Sequence, residues 1–255
     1  MTHQNGLRVT TPETTQRRRE RRFLLSEEMA RLALRTVSAH LSLARDDRPY
    51  QWSTTVYCDT YDWRAFREAQ GGPSLQLRFR EYHRIRPDRV LGAARTWVEL
   101  KDDAEDGSVK ERFGLAASNV PALLRGDAVP QLEGDPLFAR GKAFIAEGAR
   151  PVVATQYNRI AYAAPHDRVR MTADYNLMYL AVPWGSNQDG AVPVRLGPLL
   201  AQENKVLFEV KWFDQMPDWS VTLLEWIAES AQDRQESKFV VAMRHLLGLT
   251  AEKTS

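Results

Sequence analysis

The sequence predicts an α+β fold, in which strands of an antiparallel sheet are covered by helices, on three observations. Apolar residues recur at three-to-four-residue spacing after Ser26 and again near the C-terminus. Seven segments alternate apolar with polar residues, and Gly, Pro, Asp or Asn bound each of them. Charged residues repeat two apart within five segments, which places charge on one face of a strand and apolar groups on the other.

The elements follow in order. Residues 1–16 are polar and predict a disordered tail, with a single folded domain over 17–250. Ser26 with Glu27 and Glu28 behind it forms an N-cap and acidic first turn, and Met29, Leu32, Ala33, Val37 and Leu41 carry the helix to about Ala44. From Trp52 the texture turns to strand: STTVYCDT, SLQLRFREYHRI, TWVELKD, SVKERFGL, VVATQYNRIAYAA, DRVRMTADYNLMYLAV and KVLFEVKWF imply seven or eight strands. Helices are expected over 118–126 and 135–147, and two more over 217–231 and 237–247.

Composition excludes several classes. With 43% hydrophobic and 27% charged residues in 255, the chain is an ordinary globular one. Its longest uncharged run, 175–188, is broken by Pro183 and Gly185, so no membrane span is expected. The N-terminus lacks a signal-type apolar segment and the single Cys58 cannot form an internal disulfide, which predicts a cytoplasmic protein. A net charge of +2 does not suggest nucleic acid, and neither do basic strand faces without interleaved aromatic platforms.

The ionic faces carry the functional reading. Arg78 and Arg80 share one face of their strand, Glu99 and Lys101 another, and Glu209 and Lys211 a third. Arg168, Arg170, Thr172 and Asp174 share a fourth, and Glu20 and Arg22 repeat the spacing before the first helix. One such pair is ordinary polar-out alternation. Five together, with helices available to cover the apolar side, predict strands closed into a barrel with the charged face inward. Gathered cations and carboxylates are costly out of water unless matched, and phosphates with a hard divalent cation match them.

The segments ERRF (20–23), STTVYCDT (53–60), LRFR (77–80), VELK (98–101), SVKERF (108–113), YNRIAY (157–162), VRMTAD (169–174), LFEVK (207–211), MPDW (216–219) and SKF (237–239) come in an order that resembles the catalytic domain of the vacuolar transporter chaperone. That domain is a polyphosphate polymerase among the triphosphate tunnel metalloenzymes, and the resemblance runs from about 19 to 248. It implies an eight-stranded antiparallel β-barrel, with helices packed outside, that holds ATP and polyphosphate or tripolyphosphate with Mn²⁺ or Mg²⁺. By match to the family's motifs, Arg78, Arg80, Lys101, Lys110, Arg159, Arg170 and Lys238 should grip phosphate, and Glu209 the metal, with Lys211 beside it. Arg22 stands where the family usually presents a lysine, and Glu20, Glu99 and Asp174 are further candidates for metal or water positioning. The family's K-F-S-K pattern is reduced to Lys238, Phe239, Val240 and Val241, without a second lysine. Three functions fit: polymerase, tunnel triphosphatase, and non-catalytic polyphosphate or nucleotide binding, with a membrane protein as a conceivable partner.

The remaining signals have plain readings. His83 and His166 lack a second ligand at productive spacing and are expected at the surface. Cys58 is expected to be buried, the GGP at 71–73 to be a turn, and RRRERR at 17–22 to be solvated. Trp212, Trp219, Trp226, Leu223, Leu224 and Ile227 are expected to pack a helix against the barrel.

Overall fold

The computed structural model describes residues 19–44, 50–71, 73–104, 107–164, 168–183, 193–213 and 215–249. The tail expected over 1–16 and His166 lie outside the described residues. Eight long strands, with three short ones at Ser42–Leu43, Leu199–Gln202 and Gln232–Asp233, form the sheet: β1 (Arg19–Leu25), β2 (Gln51–Asp59), β3 (Ser74–His83), β4 (Thr96–Ala104), β5 (Gly107–Leu115), β6 (Arg150–Ala163), β7 (Val169–Ala181) and β8 (Val206–Trp212). Their order is β1-β8-β7-β6-β2-β3-β4-β5, antiparallel at every step. No hydrogen-bonded ladder joins β1 to β5 among the described residues. The sheet nevertheless curls until its two ends face each other, since Lys101 of β4 feels the charge of Glu20 and Arg22 of β1 feels that of Asp103.

Register decides which side chains line the concave face. Arg22 pairs with Glu209, Glu209 with Thr172, and Glu20 with Lys211, which pairs with Arg170. Asp174 pairs with Arg159, Arg80 with Thr55 and Trp97, Arg78 with Glu99, and Lys101 with Lys110. Directly opposed residues point to the same side, so the ionic faces of separate strands merge into one.

The opposite face is apolar and is covered by helices α1 (Glu27–Ser38), α3 (Val120–Arg125), α4 (Pro136–Ala146) and α5 (Asp218–Ser230). Val56, Leu77, Phe79, Val98, Leu100 and Phe113 pack with Leu123 and Leu124 of α3 and with Phe138 and Ile145 of α4. Phe23, Met171, Phe208 and Val210 pack with Ala33 and Val37 of α1 and with Leu223 and Ile227 of α5. Each such side chain contributes about 1.5–3 kcal/mol by leaving water. Trp212 and Trp219 join this layer as expected, whereas Trp226 turns its ring partly outward.

A third apolar cluster lies on the concave side. Tyr57, Val153, Tyr157, Tyr179 and Leu207 pack against Phe239, Val240, Ala242 and Met243 of α6 (Lys238–Leu246), and against Phe66 of α2 (Arg64–Gly71). The last helix thus lies across one end of the lined face, where β2 finishes and β3 begins. Tyr57 stacks on Phe239 with ring centroids 5.3 Å apart.

Two elements depart from the sequence expectation. Helix α1 ends at Ser38, not about Ala44, because Ser42 and Leu43 leave it to pair with Ala163 and Tyr162 of β6. Helix α2 was not anticipated; the Asp59 carboxylate accepts from the backbone N–H groups of Thr60, Ala65 and Phe66, and Thr60 Oγ1 accepts from that of Arg64. These caps satisfy the orphan donors of a short helix directly after a strand.

Candidate functional site

The lined face is a set of buried charges arranged around two carboxylate centres. At the first, Glu99 is fully buried, with Arg78 Nε at 2.7 Å, Arg80 Nε at 3.9 Å and Lys110 Nζ at 3.6 Å. Arg80 also donates to Thr55 Oγ1 at 3.0 Å. Burial works against ionising Glu99, but Arg80, Arg78 and Lys110 outweigh it and hold its pKa well below the usual carboxylate range. Burial pushes the Lys110 ammonium down to about 8 against the pull of Glu99.

At the second centre, Lys238 Nζ sits 2.7 Å from Glu209 Oε1 and 2.9 Å from Asp174 Oδ2. Arg159 forks onto both oxygens of Asp174 at 2.5 and 2.7 Å, and reaches Glu209 Oε2 at 2.9 Å. Ser237 caps α6 by accepting from the Val240 N–H, and this fixes Lys238 at the first position of the helix. Burial opposes the Glu209 charge, yet Lys238, Lys211, Arg159 and Arg22 hold its pKa far below normal. Neighbouring Glu20 binds Arg22 Nε at 2.6 Å and Lys211 Nζ at 3.2 Å; although burial raises it, Lys211 and Arg22 bring its pKa down to about 2.

Lys101 and Lys211 are likewise pushed down by burial, against Asp103 and against Glu20 and Glu209 respectively. Arg170 joins the same face beside Lys211 through the β7–β8 register. Ten cations, namely Arg22, Arg78, Arg80, Lys101, Lys110, Arg112, Arg159, Arg170, Lys211 and Lys238, therefore face five carboxylates, those of Glu20, Glu99, Asp103, Asp174 and Glu209. Among these residues the face carries an excess of five positive charges, held where water is scarce; a polyanion matches that excess.

Every residue of the ionic strand faces singled out in the sequence lies on this face except Arg168, which is exposed just before β7. Tyr157 was missed. Its ring lies beneath Arg159 at 4.9 Å and Lys238 at 5.0 Å, and its buried hydroxyl has no hydrogen-bond partner among the described residues. Its i, i+2 spacing from Arg159 is a signal for the shared face, but a strand aromatic at that spacing also reads as core. Trp97 also shares the face, beside Arg80, so the premise that aromatics are not interleaved with the cations is overturned; alternation places both types on one side. His83 is half-buried, 3.5 Å from Glu81, and not a surface residue, because the β3 strand continues through it. Of the run 17–22, Arg19, Glu20, Arg21 and Arg22 belong to β1; Glu20 and Arg22 turn inward while Arg21 pairs outside with Asp233. Cys58 is buried as expected, and burial pushes its thiol far up.

Among the described residues no three His, Cys, Asp or Glu side chains converge as a protein-only metal cage. Glu20 and Glu209 lie on adjacent strands and share Arg22, whose Nε is 3.8 Å from Glu209. Both oxygens of Glu209 are taken by Lys238 and Arg159, and those of Glu20 by Arg22 and Lys211, so a hard divalent cation fits this pair where those side chains turn to phosphate oxygens that also complete its shell. Glu99 is surrounded by three cations from its neighbouring strands, and both oxygens of Asp174 are taken by Arg159 and Lys238.

A family model for the VTC domain matches residues 17–247. The chain belongs to the VTC domain family. The VTC match and the curled antiparallel sheet with its charged inner face make this a triphosphate-tunnel domain, a class that is generally enzymatic and associated with a divalent metal. Similar solved structures include a Bacillus halodurans protein provisionally named an adenylate cyclase, at 14% identity and TM-score 0.49, covering 86% of this chain and 94% of that one. A Pyrococcus horikoshii protein is 10% identical with TM-score 0.45, covering 89% and 98%. A Vibrio parahaemolyticus protein, also provisionally named an adenylate cyclase, is 9% identical with TM-score 0.43, covering 90% and 99%. Comparison with curated protein sequences finds no match. Within the VTC domain described here, no helix is long and apolar enough to cross a membrane.

Proposed function

We propose that this VTC domain, over 17–250, is a polyphosphate polymerase that transfers the γ-phosphoryl group of ATP to the end of a polyphosphate chain. The observation that carries the reading is the merging of ten cations from separate strands and α6 onto one buried face with too few carboxylates to neutralise them. Phosphoryl transfer requires positioning and charge stabilisation rather than a protein nucleophile. In this reading Arg78, Arg80, Lys101 and Lys110 hold one stretch of phosphate oxygens, and Arg22, Arg159, Arg170, Lys211 and Lys238 hold the next. Glu209 with Glu20 would hold Mn²⁺ or Mg²⁺, which when bound neutralises charge on the phosphate oxygens. Arg159 and Lys238, released from Asp174 and Glu209 in part, would carry the charge that builds on the transferring group. A terminal oxygen of the chain attacks the γ-phosphorus in line, the bond to the β-bridging oxygen breaks, and ADP leaves. Water in place of that oxygen gives triphosphate hydrolysis on the same residues.

The test is incubation with ATP and Mn²⁺, with and without a short polyphosphate primer, followed by phosphorus NMR. Internal-chain signals that vanish in Arg78→Ala and Glu209→Gln support the polymerase. Orthophosphate alone replaces it with the triphosphatase; unchanged ATP, with tripolyphosphate still bound, leaves a binding domain.

A further inference from the structure

The link between α5 and α6 is tied down step by step. Ala231 donates its N–H to Ile227 O, Gln232 and Asp233 pair with Leu24 and Phe23 of β1, and the Arg234 N–H donates to Arg22 O at 2.9 Å. Arg22 bonds the link in turn, from its side-chain Nη1 to Gln235 O at 3.1 Å. Ser237 then caps α6, with Lys238 as its first residue. Within this link the Arg234 side chain is buried in a closed triangle. Its Nη1 donates to Glu203 Oε1 at 2.8 Å, its Nη2 to the Tyr179 hydroxyl at 2.6 Å, and that hydroxyl to Glu203 Oε1 at 3.0 Å. The Tyr179 ring lies 5.7 Å from that of His245 in the last turn of α6. Arg234 thus joins the entry of α6 to the strand residue beside which the far end of the helix rests. Tyr179 and Met243 belong to the inner apolar cluster, with Leu200 and Ala201 packed on it, and an apolar side chain in such surroundings holds a link about as well as a buried ion pair does. What the arginine adds is direction: a planar fork fixed on two acceptors narrows the positions open to the backbone that carries it.

We propose that Arg234, clamped by Glu203 and Tyr179, is a positioning residue that sets Lys238 at the phosphates. It rests on the tunnel reading and names what holds one of the phosphate-binding cations in place. Of the ten cations on the lined face Lys238 alone comes from a helix, so no strand register fixes it. Its place follows from where α6 begins, and the link that carries Arg234 decides that. Among the described residues Arg234 pairs with no carboxylate of the lined face, so it acts through the link. A slip of about 1 Å there carries Lys238 Nζ off the position at which it meets a phosphate oxygen.

The experiment is a double-mutant cycle on tripolyphosphate affinity, with Arg234→Gln, Lys238→Gln and the two together, read by titration calorimetry across a salt series. Lys238→Gln should weaken binding about thirty-fold and Arg234→Gln about ten-fold, yet in the Lys238→Gln protein the second change should add less than about three-fold. The slope of log affinity against log salt should fall by about one in each single variant and no further in the double, because a displaced cation is lost to the phosphates as a deleted one is. Arg234→Lys keeps the charge without the fork and should recover only part of the loss. Should Arg234→Gln fold poorly, Tyr179→Phe removes one acceptor of the fork and leaves the ring packed; it should weaken binding about three-fold, and only while Lys238 is present. Ser26→Ala, which removes a cap on α1, should leave the affinity unchanged and so separates lost stability from lost position. Additive losses in the cycle, or an unchanged affinity in Arg234→Gln and Tyr179→Phe, reduce the triangle to scaffold and leave the tunnel reading standing; a wild type that does not bind tripolyphosphate overturns both.

Discussion

Lys110 lies on the lined face, 3.6 Å from Glu99, with its ammonium pushed down by burial to about 8. A phosphate chain beside it favours the charged form, so the bound protein must have the higher pKa. Linkage then gives the sign. Below pH 8 Lys110 is protonated in both free and bound protein, and affinity for tripolyphosphate is at its full value. As pH rises through 8 the free protein loses the proton that the complex keeps, and binding must take one up. At pH 9 roughly one free molecule in eleven is still protonated, so affinity should fall about ten-fold from its neutral value, or about 1.4 kcal/mol. Titration calorimetry at pH 9 in buffers of different ionisation enthalpy should show uptake approaching one proton. Lys110→Arg, which stays charged throughout, should flatten the decline relative to wild type; ligand ionisation is common to both and cancels. Superimposable pH profiles for the two proteins would refute the placement of Lys110 at the phosphates. In the absence of ligand the same depression works on stability: the unfolded chain binds more protons between about pH 8 and 10, so the folded state gains stability as pH rises across that window.

Other perturbations read the scaffold. Arg159→Ala leaves fully buried Asp174 and Glu209 with Lys238 as their shared cation and should cost about 3–5 kcal/mol in urea unfolding; a loss under about 1 kcal/mol would mean water replaces the guanidinium freely. Phe239→Ala removes the ring stacked on Tyr57 and should cost about 3–5 kcal/mol by thermal melting, whereas an unchanged melt would detach α6 from the inner cluster. Ser26→Ala deletes the side-chain acceptor of the Met29 N–H and should cost about 1 kcal/mol.

Much of the site was legible because strand alternation is local. Glu99 with Lys101, Glu209 with Lys211, and Arg170 with Asp174 each announce an ionic face within a few residues, and the apolar partners between them announce the other. The four C-terminal and central helices were readable as ranges in the sequence, and the structure adds caps at Asp135 and Ser237. Helix α2 was not, because its capping carboxylate, Asp59, is also the last residue of β2. Tyr157 was hidden by its chemistry, since a buried aromatic in a strand resembles core until the cations above it are placed.

The sequence by itself determined which side of each strand carries charge, which side must be covered by helices, and, through its motif order, the family. Only the tertiary structure decided which ionic faces meet. Arg22 reaches Glu209 across paired strands far apart in the chain, and Lys238 comes to Asp174 and Glu209 from a helix that packs on the inner face. Alternation acts over two residues and needs no partner, whereas pairing, curl, the withdrawal of water that shifts Lys110 and the gathered cations that shift Glu20 against it exist only once distant strands are in register.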